Sequence, residues 1–321
     1  MKYVYAMQAF FLWLLLGVVT SVNAYAQTQP LVDEQQLATL IELPSVRVLD
    51  IRPPNDYAAG HIPGAISAPY GQWRGPANNP GQLISIEDLQ QLVRSLGIDK
   101  DQHLVVYSSG DSQTDFGAAA RVYWTLKYAG LPHLSVLNGG YQQWQRAALS
   151  ESMDTPAITA SSFEVQPNNS IVILKEELLE KINNNQNDYQ LIDARPQAFY
   201  EGKVKAPTAS IGGTIAGAKN AQHQQWFNEE NATLKPADQI RQQIVQQGLD
   251  QAPQTVSFCN TGHWAATNWF VLSEIGGLPQ VRLYPASLAE WTQAEQALPM
   301  SNTPSRAQQI RAKFQALIKS E

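Results

Sequence analysis

The stretch TVSFCNTGHWAATNWFVL, residues 255–272, contains Cys259, the only cysteine in the chain. Residues 255–258 are apolar or β-branched and predict a buried strand. Residues 265–272 predict a helix, and the five residues between Cys259 and this helix leave room only for a tight loop. This order predicts a thiol at the rim of a sheet, where loop amides and a helix N-terminus favour the thiolate. A small buried core cysteine is the alternative.

Length and composition indicate a two-domain globular protein. The chain has 321 residues, of which 44% are hydrophobic and 16% charged, so a sizeable core is available. The net charge is −6 and lysine or arginine runs are lacking. These features argue against a nucleic-acid partner.

The N-terminus has the pattern of a secretory signal peptide. Lys2 precedes an apolar run over 9–19, and Ala24-Tyr25-Ala26 supplies an A-x-A cleavage site. We expect residues 1–26 to be removed, with no stable membrane anchor afterwards and a periplasmic or secreted location; an uncleaved anchor is the alternative. A single thiol in an oxidising compartment needs a reason, either catalysis or intermolecular pairing.

The chain contains one pattern twice, about 145 residues apart. VRVLDIR, at 46–52, ends in D-x-R before a proline, and so does QLIDAR, at 190–195. GHIPGA, at 60–65, corresponds to GTIAGA, at 213–218, and Trp144 corresponds to Trp291. Strands that alternate with helices predict an α/β fold in two copies, each a mostly parallel sheet covered by helices on both faces.

The predicted boundaries follow from this repeat and from helix signals. We predict domains at 31–150 and 171–300, joined by a linker at 151–170 and followed by a C-terminal helical tail at 301–321. Ser85 is predicted to cap a helix over 86–96, with Asp88 at the third position. Further helices are predicted at 34–43, 116–129, 174–182 and 237–247.

These motifs resemble the rhodanese family of sulfurtransferases. LDIRPPNDYAAGHIPGAISAP and VLNGGYQQW in the first copy come close to the family pattern. A cysteine in the second copy alone is similar to the two-domain thiosulfate and 3-mercaptopyruvate sulfurtransferases. The second copy departs from the pattern, with Thr214 in place of His61 and Pro285-Ala286 in place of Asp-Gly.

The resemblance implies a sulfurtransferase that works through a persulfide on Cys259 and needs no cofactor. A small anionic donor such as thiosulfate would give up its outer sulfur. Cyanide or a thiol, including a partner protein's thiol, would accept it. The loop residues Asn260, Thr261 and Gly262 would offer N–H donors without a competing carboxylate.

The resemblance places Arg195 at the site, and the loop sequence adds His263 and Trp264 as candidates. Arg195 would bind the donor's sulfonate or carboxylate; the alternative is an ion pair with Asp193 or a bond to a loop carbonyl. His263 would supply a proton-dependent positive charge, or be an exposed loop residue. Trp264 would form a hydrophobic wall of the pocket that limits the acceptor, or pack against the first domain. Family members that use thiosulfate have cations after the cysteine and those that use mercaptopyruvate have small residues, and this loop matches neither.

The first copy is predicted to be non-catalytic. Ser108 stands where the cysteine would be, and Asp111 and Asp115 in its loop oppose an anion site. A phosphatase is disfavoured because Ala265 occupies the position at which a C-x5-R loop has its arginine. A sulfur-carrier or binding module that receives sulfur from a partner protein remains the alternative. The histidines and the cysteine have no metal-ligand spacing.

Overall fold

The computed structural model describes residues 28–229, 231–305 and 307. The predicted signal peptide at 1–26 lies outside these residues, as does most of the predicted tail at 301–321. At the start of that tail, Ser301 belongs to a short strand and not to a helix. Within the described ranges, no helix has the length and apolar character required to cross a bilayer.

The first domain alternates strands and helices as the sequence predicts. Its strands are β1 (Leu31–Val32), β2 (Val46–Asp50), β3 (Ile66–Ser67), β4 (His103–Tyr107) and β5 (Leu134–Leu137). Its helices are α1 (Glu34–Leu40), α2 (Pro54–Ala59), α3 (Ile86–Ser95), α4 (Phe116–Tyr128) and α5 (Gly140–Arg146). Ser85 caps α3 as predicted, because its Oγ accepts a hydrogen bond from the N–H of Asp88 at 3.0 Å.

The five strands form a parallel sheet in the order β1-β5-β4-β2-β3. Side chains alternate between its two faces. Val48 and Val105 lie in the core cluster that includes residues of α1 and α5. Leu49 and Val106 lie in the cluster that includes residues of α3 and α4. The sheet is therefore covered on both faces, which confirms the predicted fold class.

The second domain repeats this plan. Its strands are β6 (Tyr189–Asp193), β7 (Thr214–Ile215), β8 (Lys219–Asn220), β9 (Gln254–Phe258), β10 (Val281–Leu283) and β11 (Met300–Ser301). Its helices are α6 (Lys175–Asn183), α7 (Gln197–Tyr200), α8 (Ala237–Gln246), α9 (Trp264–Phe270) and α10 (Ser287–Gln293). The parallel sheet has the order β10-β9-β6-β8, and β7 pairs with β11 in a separate antiparallel ribbon.

The two domains share one continuous core. Helix α4 packs against α9, with Phe270 meeting Phe116 at 5.6 Å and Tyr123 at 5.0 Å between ring centroids. Helix α9 continues into a wider π-helical turn at Val271–Ile275, beyond the predicted end at Leu272. Because α9 begins directly after the cysteine loop, this packing fixes that loop against the first domain.

Candidate functional site

Cys259 lies at the carboxyl end of β9, between the sheet and the interdomain contact. It is unpaired and only 1% exposed. Its N–H donates to Oγ of Ser287 at 3.1 Å, and its carbonyl accepts from the N–H of Leu288 at 3.2 Å. These bonds hold the cysteine backbone against the start of α10 and so fix the position from which the thiol projects.

The loop after Cys259 offers a row of free N–H groups. The main-chain N–H groups of residues 260–264 donate to no acceptor in the part of the chain that the structure describes. Gly262 has φ +70°, a left-handed conformation that curls the loop and that glycine adopts without strain. Successive free amides in such a curl form an anion site. Unpartnered amides and a left-handed glycine are what the predicted ring of donors requires, and their role at the sulfur stays a prediction.

Arg195 is buried and tied to Asp193. Its Nε and Nη2 donate to the Asp193 carboxylate at 2.9 and 2.6 Å, and Nη2 also donates to the carbonyl of Gly213 at 2.6 Å. Nη1 lies 3.3 Å from Oδ1 of Asn260 and donates to it. The ion pair considered from the sequence is thus the contact that forms, and Arg195 touches the loop through the Asn260 amide.

The same ion pair exists in the first domain, where Arg52 binds Asp50 at 2.6 Å. There the hydroxyl of Tyr107 donates to the carboxylate at 2.5 Å. In the second domain a phenylalanine takes the place of Tyr107, and Thr214 Oγ1 donates to Asp193 instead at 2.7 Å. The departure of Thr214 from the family pattern therefore preserves the number of donors to a buried carboxylate.

His263 bridges the loop to the first domain. Its Nε2 lies 2.7 Å from the carbonyl of Thr114, and its Nδ1 lies 2.9 Å from the hydroxyl of Tyr70. The carbonyl only accepts, which assigns the proton to Nε2 and makes Nδ1 the acceptor of the Tyr70 hydroxyl. Burial lowers the pKa of His263 to about 4. A neutral imidazole does not provide the positive charge considered for it.

Trp264 packs within the second domain. Its ring stacks on His223 at 4.8 Å between centroids and meets the edge of Phe199 at 5.9 Å. Both partners belong to the second domain, unlike the packing against the first domain considered from the sequence. His223 is fully buried, and burial lowers its pKa to about 4. The three rings pack together beside the loop.

Ser108 is the structural counterpart of Cys259. Its carbonyl accepts from the N–H of Tyr141 at 2.8 Å, as the Cys259 carbonyl does from Leu288. In this copy Oδ2 of Asp115 already accepts from the N–H of Gly110 at 2.6 Å. In the first loop a carboxylate therefore already accepts a hydrogen bond from a main-chain N–H group. In the second loop the corresponding N–H groups remain available to bind an anion.

Three first-domain side chains at the loop were missed by the sequence analysis. They are Tyr70, Arg74 and Arg121, which bind His263, the carbonyl of Thr261 and the carbonyl of Gly262. Their sequence separation from the loop is large and they belong to no motif. Only the docking of the domains brings them to Cys259.

Comparisons with known proteins place the chain among sulfur-handling proteins. The family model described as "Rhodanese-like domain" matches residues 33–147 and 174–294. The chain is 29% identical over 280 residues to the "Sulfur carrier protein TtuD" of Thermus thermophilus, covering 83% of this chain and 95% of the relative. It is 27% identical over 257 residues to a "Putative thiosulfate sulfurtransferase" of Haloferax volcanii, covering 77% and 86%.

Solved structures agree. The 3-mercaptopyruvate sulfurtransferase SseA of Escherichia coli superimposes with a TM-score of 0.70 at 26% identity, covering 82% of this chain and 100% of that one. Tum1 of Saccharomyces cerevisiae, at 20% identity, shares the fold with a TM-score of 0.73 over 86% and 99% of the two chains.

Proposed function

Because the chain belongs to the rhodanese family, we propose that it is a sulfurtransferase that carries sulfane sulfur as a persulfide on Cys259. The relatives that it matches are sulfurtransferases and a sulfur carrier, which supports sulfur transfer in general. The observation that supports the specific site is the row of free N–H groups at 260–264, beside the only thiol of the chain.

The proposed reaction has two displacement steps. The Cys259 thiolate attacks the outer sulfur of thiosulfate, the S–S bond of the donor breaks, and sulfite leaves with the electron pair. The persulfide anion then rests against the loop amides, which donate hydrogen bonds to it. Cyanide or a thiolate attacks the outer sulfur, and thiocyanate or a new persulfide leaves as the Cys259 thiolate is restored. No electrons are gained or lost overall.

Thiosulfate is the donor that we propose to test first. The loop residues 260–264 contain no carboxylate to repel an anionic donor. The mature protein and a Cys259→Ser control are incubated with thiosulfate, and the intact mass is measured. We expect a gain of one sulfur atom in the wild type, removed by cyanide with release of thiocyanate, and no gain in the control.

The test also separates donors and functions. A gain of one sulfur atom with 3-mercaptopyruvate but not with thiosulfate would support the persulfide mechanism and identify a different donor. No gain with any small donor, while Cys259 reacts with an alkylating reagent, would contradict the enzymatic proposal. We further propose that the chain acts after export, which predicts a mature N-terminus at Gln27 when the exported protein is sequenced.

A sulfur carrier is the second candidate. The 29% identity to a sulfur carrier over most of both chains supports it. A carrier would gain sulfur from a persulfidated protein but release thiocyanate from thiosulfate at no more than the rate of the Cys259→Ser variant.

A further inference from the structure

Arg121, on α4 of the first domain, is a buried cation beside the catalytic loop. It is 1% exposed, and none of the ion pairs among the described residues includes it. Its Nη2 donates to the carbonyl of Gly81 at 3.0 Å and its Nη1 to the carbonyl of Gly262 at 3.4 Å. Its Nε is buried without any partner in the described chain. A buried cation without a counter-ion is costly.

Arg74 adds a second cation from the same domain. Its Nη2 donates to the carbonyl of Thr261 at 2.8 Å, and its Nη1 is another buried N–H group that has no partner among the described residues. Burial first and the nearby charge of Arg74 second lower the pKa of Arg121 to about 9. Arg121 therefore stays protonated at neutral pH, and neither Arg74 nor Arg121 forms an ion pair with a carboxylate among the described residues.

The charge of Arg121 acts on the hydroxyl of Tyr70 and on the sulfur of Cys259, and the sulfur becomes an anion during the proposed reaction. The two guanidinium groups also hold the carbonyls of Thr261 and Gly262. A hydrogen bond to a carbonyl polarises its peptide group and strengthens the N–H of the next residue as a donor. Those next N–H groups belong to Gly262 and His263, both in the free row after the cysteine.

Resting on the proposed function, we propose that Arg74 and Arg121 of the first domain are positioning residues that supply the positive charge for the Cys259 thiolate and persulfide. The catalytic loop, Asn260-Thr261-Gly262-His263-Trp264, holds no permanent cation of its own. The non-catalytic domain thus completes the site electrostatically, through two loop carbonyls and through space.

The other titratable groups around the loop do not replace this charge. Arg195 is neutralised by Asp193 at 2.6 Å. Burial lowers the pKa of both His223 and His263 to about 4, so both are neutral near pH 7. On the first-domain side, burial raises the pKa of Tyr70 above its usual value, which keeps its hydroxyl protonated.

One acid faces the same region from the first domain. Asp115 interacts with Tyr70, and burial raises the pKa of its carboxyl group. Its Oδ2 is bonded to the N–H of Gly110 in its own loop. Asp115 is not bonded to either guanidinium, so Arg74 and Arg121 remain the unpaired charges next to the cysteine loop.

The test follows the pH at which the Cys259 thiolate forms, read from its ultraviolet absorbance against a Cys259→Ser background. We expect the midpoint to rise in Arg121→Met and in Arg74→Met, because a nearby unpaired cation favours the anion. Arg121→Lys keeps the charge and is expected to shift the midpoint less. The rate of alkylation by iodoacetamide should follow the same profiles.

Arg94→Met is the matched control. Nε of Arg94 also donates to a main-chain carbonyl, that of Phe163 at 2.7 Å, but this carbonyl lies in the linker and not in the loop. We expect its midpoint to equal that of the wild type. Circular dichroism verifies folding, and the half-buried Arg74 provides the decisive variant if Arg121→Met does not fold.

Two outcomes would overturn the inference. Unchanged midpoints in folded Arg74 variants would mean that the arginines have only a structural role, and so would alkylation that rises equally at every pH. The measurement needs no sulfur donor. A shifted midpoint in a protein that never forms a persulfide would therefore reject the proposed function while retaining the electrostatic role.

Discussion

The hydroxyl of Tyr70 donates a hydrogen bond to Nδ1 of His263 across 2.9 Å, linking the first domain to the loop that follows Cys259. The other nitrogen of the same imidazole binds the carbonyl of Thr114, also in the first domain. Both ends of one loop side chain are thus held by the domain that has no cysteine. The position of the loop depends on that domain as much as on its own.

Removal of this hydroxyl is predicted to weaken sulfur transfer. In Tyr70→Phe the Nδ1 atom of His263 loses its donor, and we expect a stability loss of about 1 kcal/mol. We expect kcat/KM for thiosulfate to fall about 3- to 10-fold as the loop loosens, which corresponds to about 0.7–1.4 kcal/mol in the transition state. Steady-state thiocyanate formation and urea unfolding measure the two effects.

Tyr128→Phe is the control for this change. Tyr128 lies at the end of α4 and stacks on Trp124 instead of contacting the loop. Its transfer rate is expected to match the wild type. Combining Tyr70→Phe with His263→Asn should lower the transfer activity by less than the sum of the two single effects, because both changes remove the same hydrogen bond. Simple additivity would contradict a functional role for the bond.

Gly262→Ala is predicted to damage the loop twice. A Cβ atom there would overlap Nη1 of Arg121 and the carbonyl of Pro285, and the residue would have to keep φ +70°. We expect at least about a tenfold loss of transfer activity, because free amides must stay aligned on the sulfur. The measurement is single-turnover persulfide formation followed by mass.

Gly277→Ala separates strain from contact. Gly277 has φ +71°, but a Cβ there would meet nothing within 4 Å. Its substitution should cost about 1 kcal/mol of stability through backbone strain and leave transfer unchanged. An equal loss of activity in both variants would show that the collision at Gly262 is irrelevant.

The sequence predicts most of the secondary structure and the repeat because those signals are local. Ser85 caps α3 as its pattern indicates, and Arg52 and Arg195 form the same kind of ion pair with an aspartate at the ends of corresponding strands. The predicted helix at 34–43 ends earlier, at Leu40. The predicted helix after Cys259 ends later, since Val271–Ile275 adds a π-helical turn that packs into the shared core.

The contacts across the domain interface could not be predicted from the sequence. Arg74 lies in an irregular stretch after the short helical turn Tyr70–Trp73, and Arg121 lies on an almost wholly buried helix. Neither position has a pattern that indicates a partner more than 140 residues away. The neutral state of His263 was equally hidden, because its pKa depends on burial created by docking.

The first domain is predicted to stay inactive even with a thiol. In Ser108→Cys/Cys259→Ser the new thiol would occupy the counterpart position, but Asp115 already accepts from the N–H of Gly110 and adds negative charge. We expect no persulfide after incubation with thiosulfate, as judged by intact mass. Adding Asp115→Asn removes the negative charge and tests whether that charge prevents persulfide formation. A persulfide in Ser108→Cys/Cys259→Ser itself would contradict the assignment of a non-catalytic domain.

Acid is predicted to destabilise the fold through His223 and His263. Burial lowers the pKa of both to about 4, whereas an unfolded histidine titrates at about 6.5. Between these values the unfolded chain binds more protons, so the contribution of the two histidines to the free energy of unfolding falls as the pH drops from about 6.5 to about 4 and levels off below. The buried His223 should account for about 1–3 kcal/mol, and the half-buried His263 for less because solvent screens it.

His223→Phe isolates this contribution. Phenylalanine keeps a ring against Trp264, which stacks on His223 at 4.8 Å, but it cannot take up a proton. Urea unfolding at about pH 7.5 and about pH 4.5 gives the loss of stability for each protein, and the variant is expected to lose less than the wild type. Equal losses would mean that His223 is protonated in the folded state as easily as in the unfolded chain, and that its burial is not what makes the protein acid-sensitive.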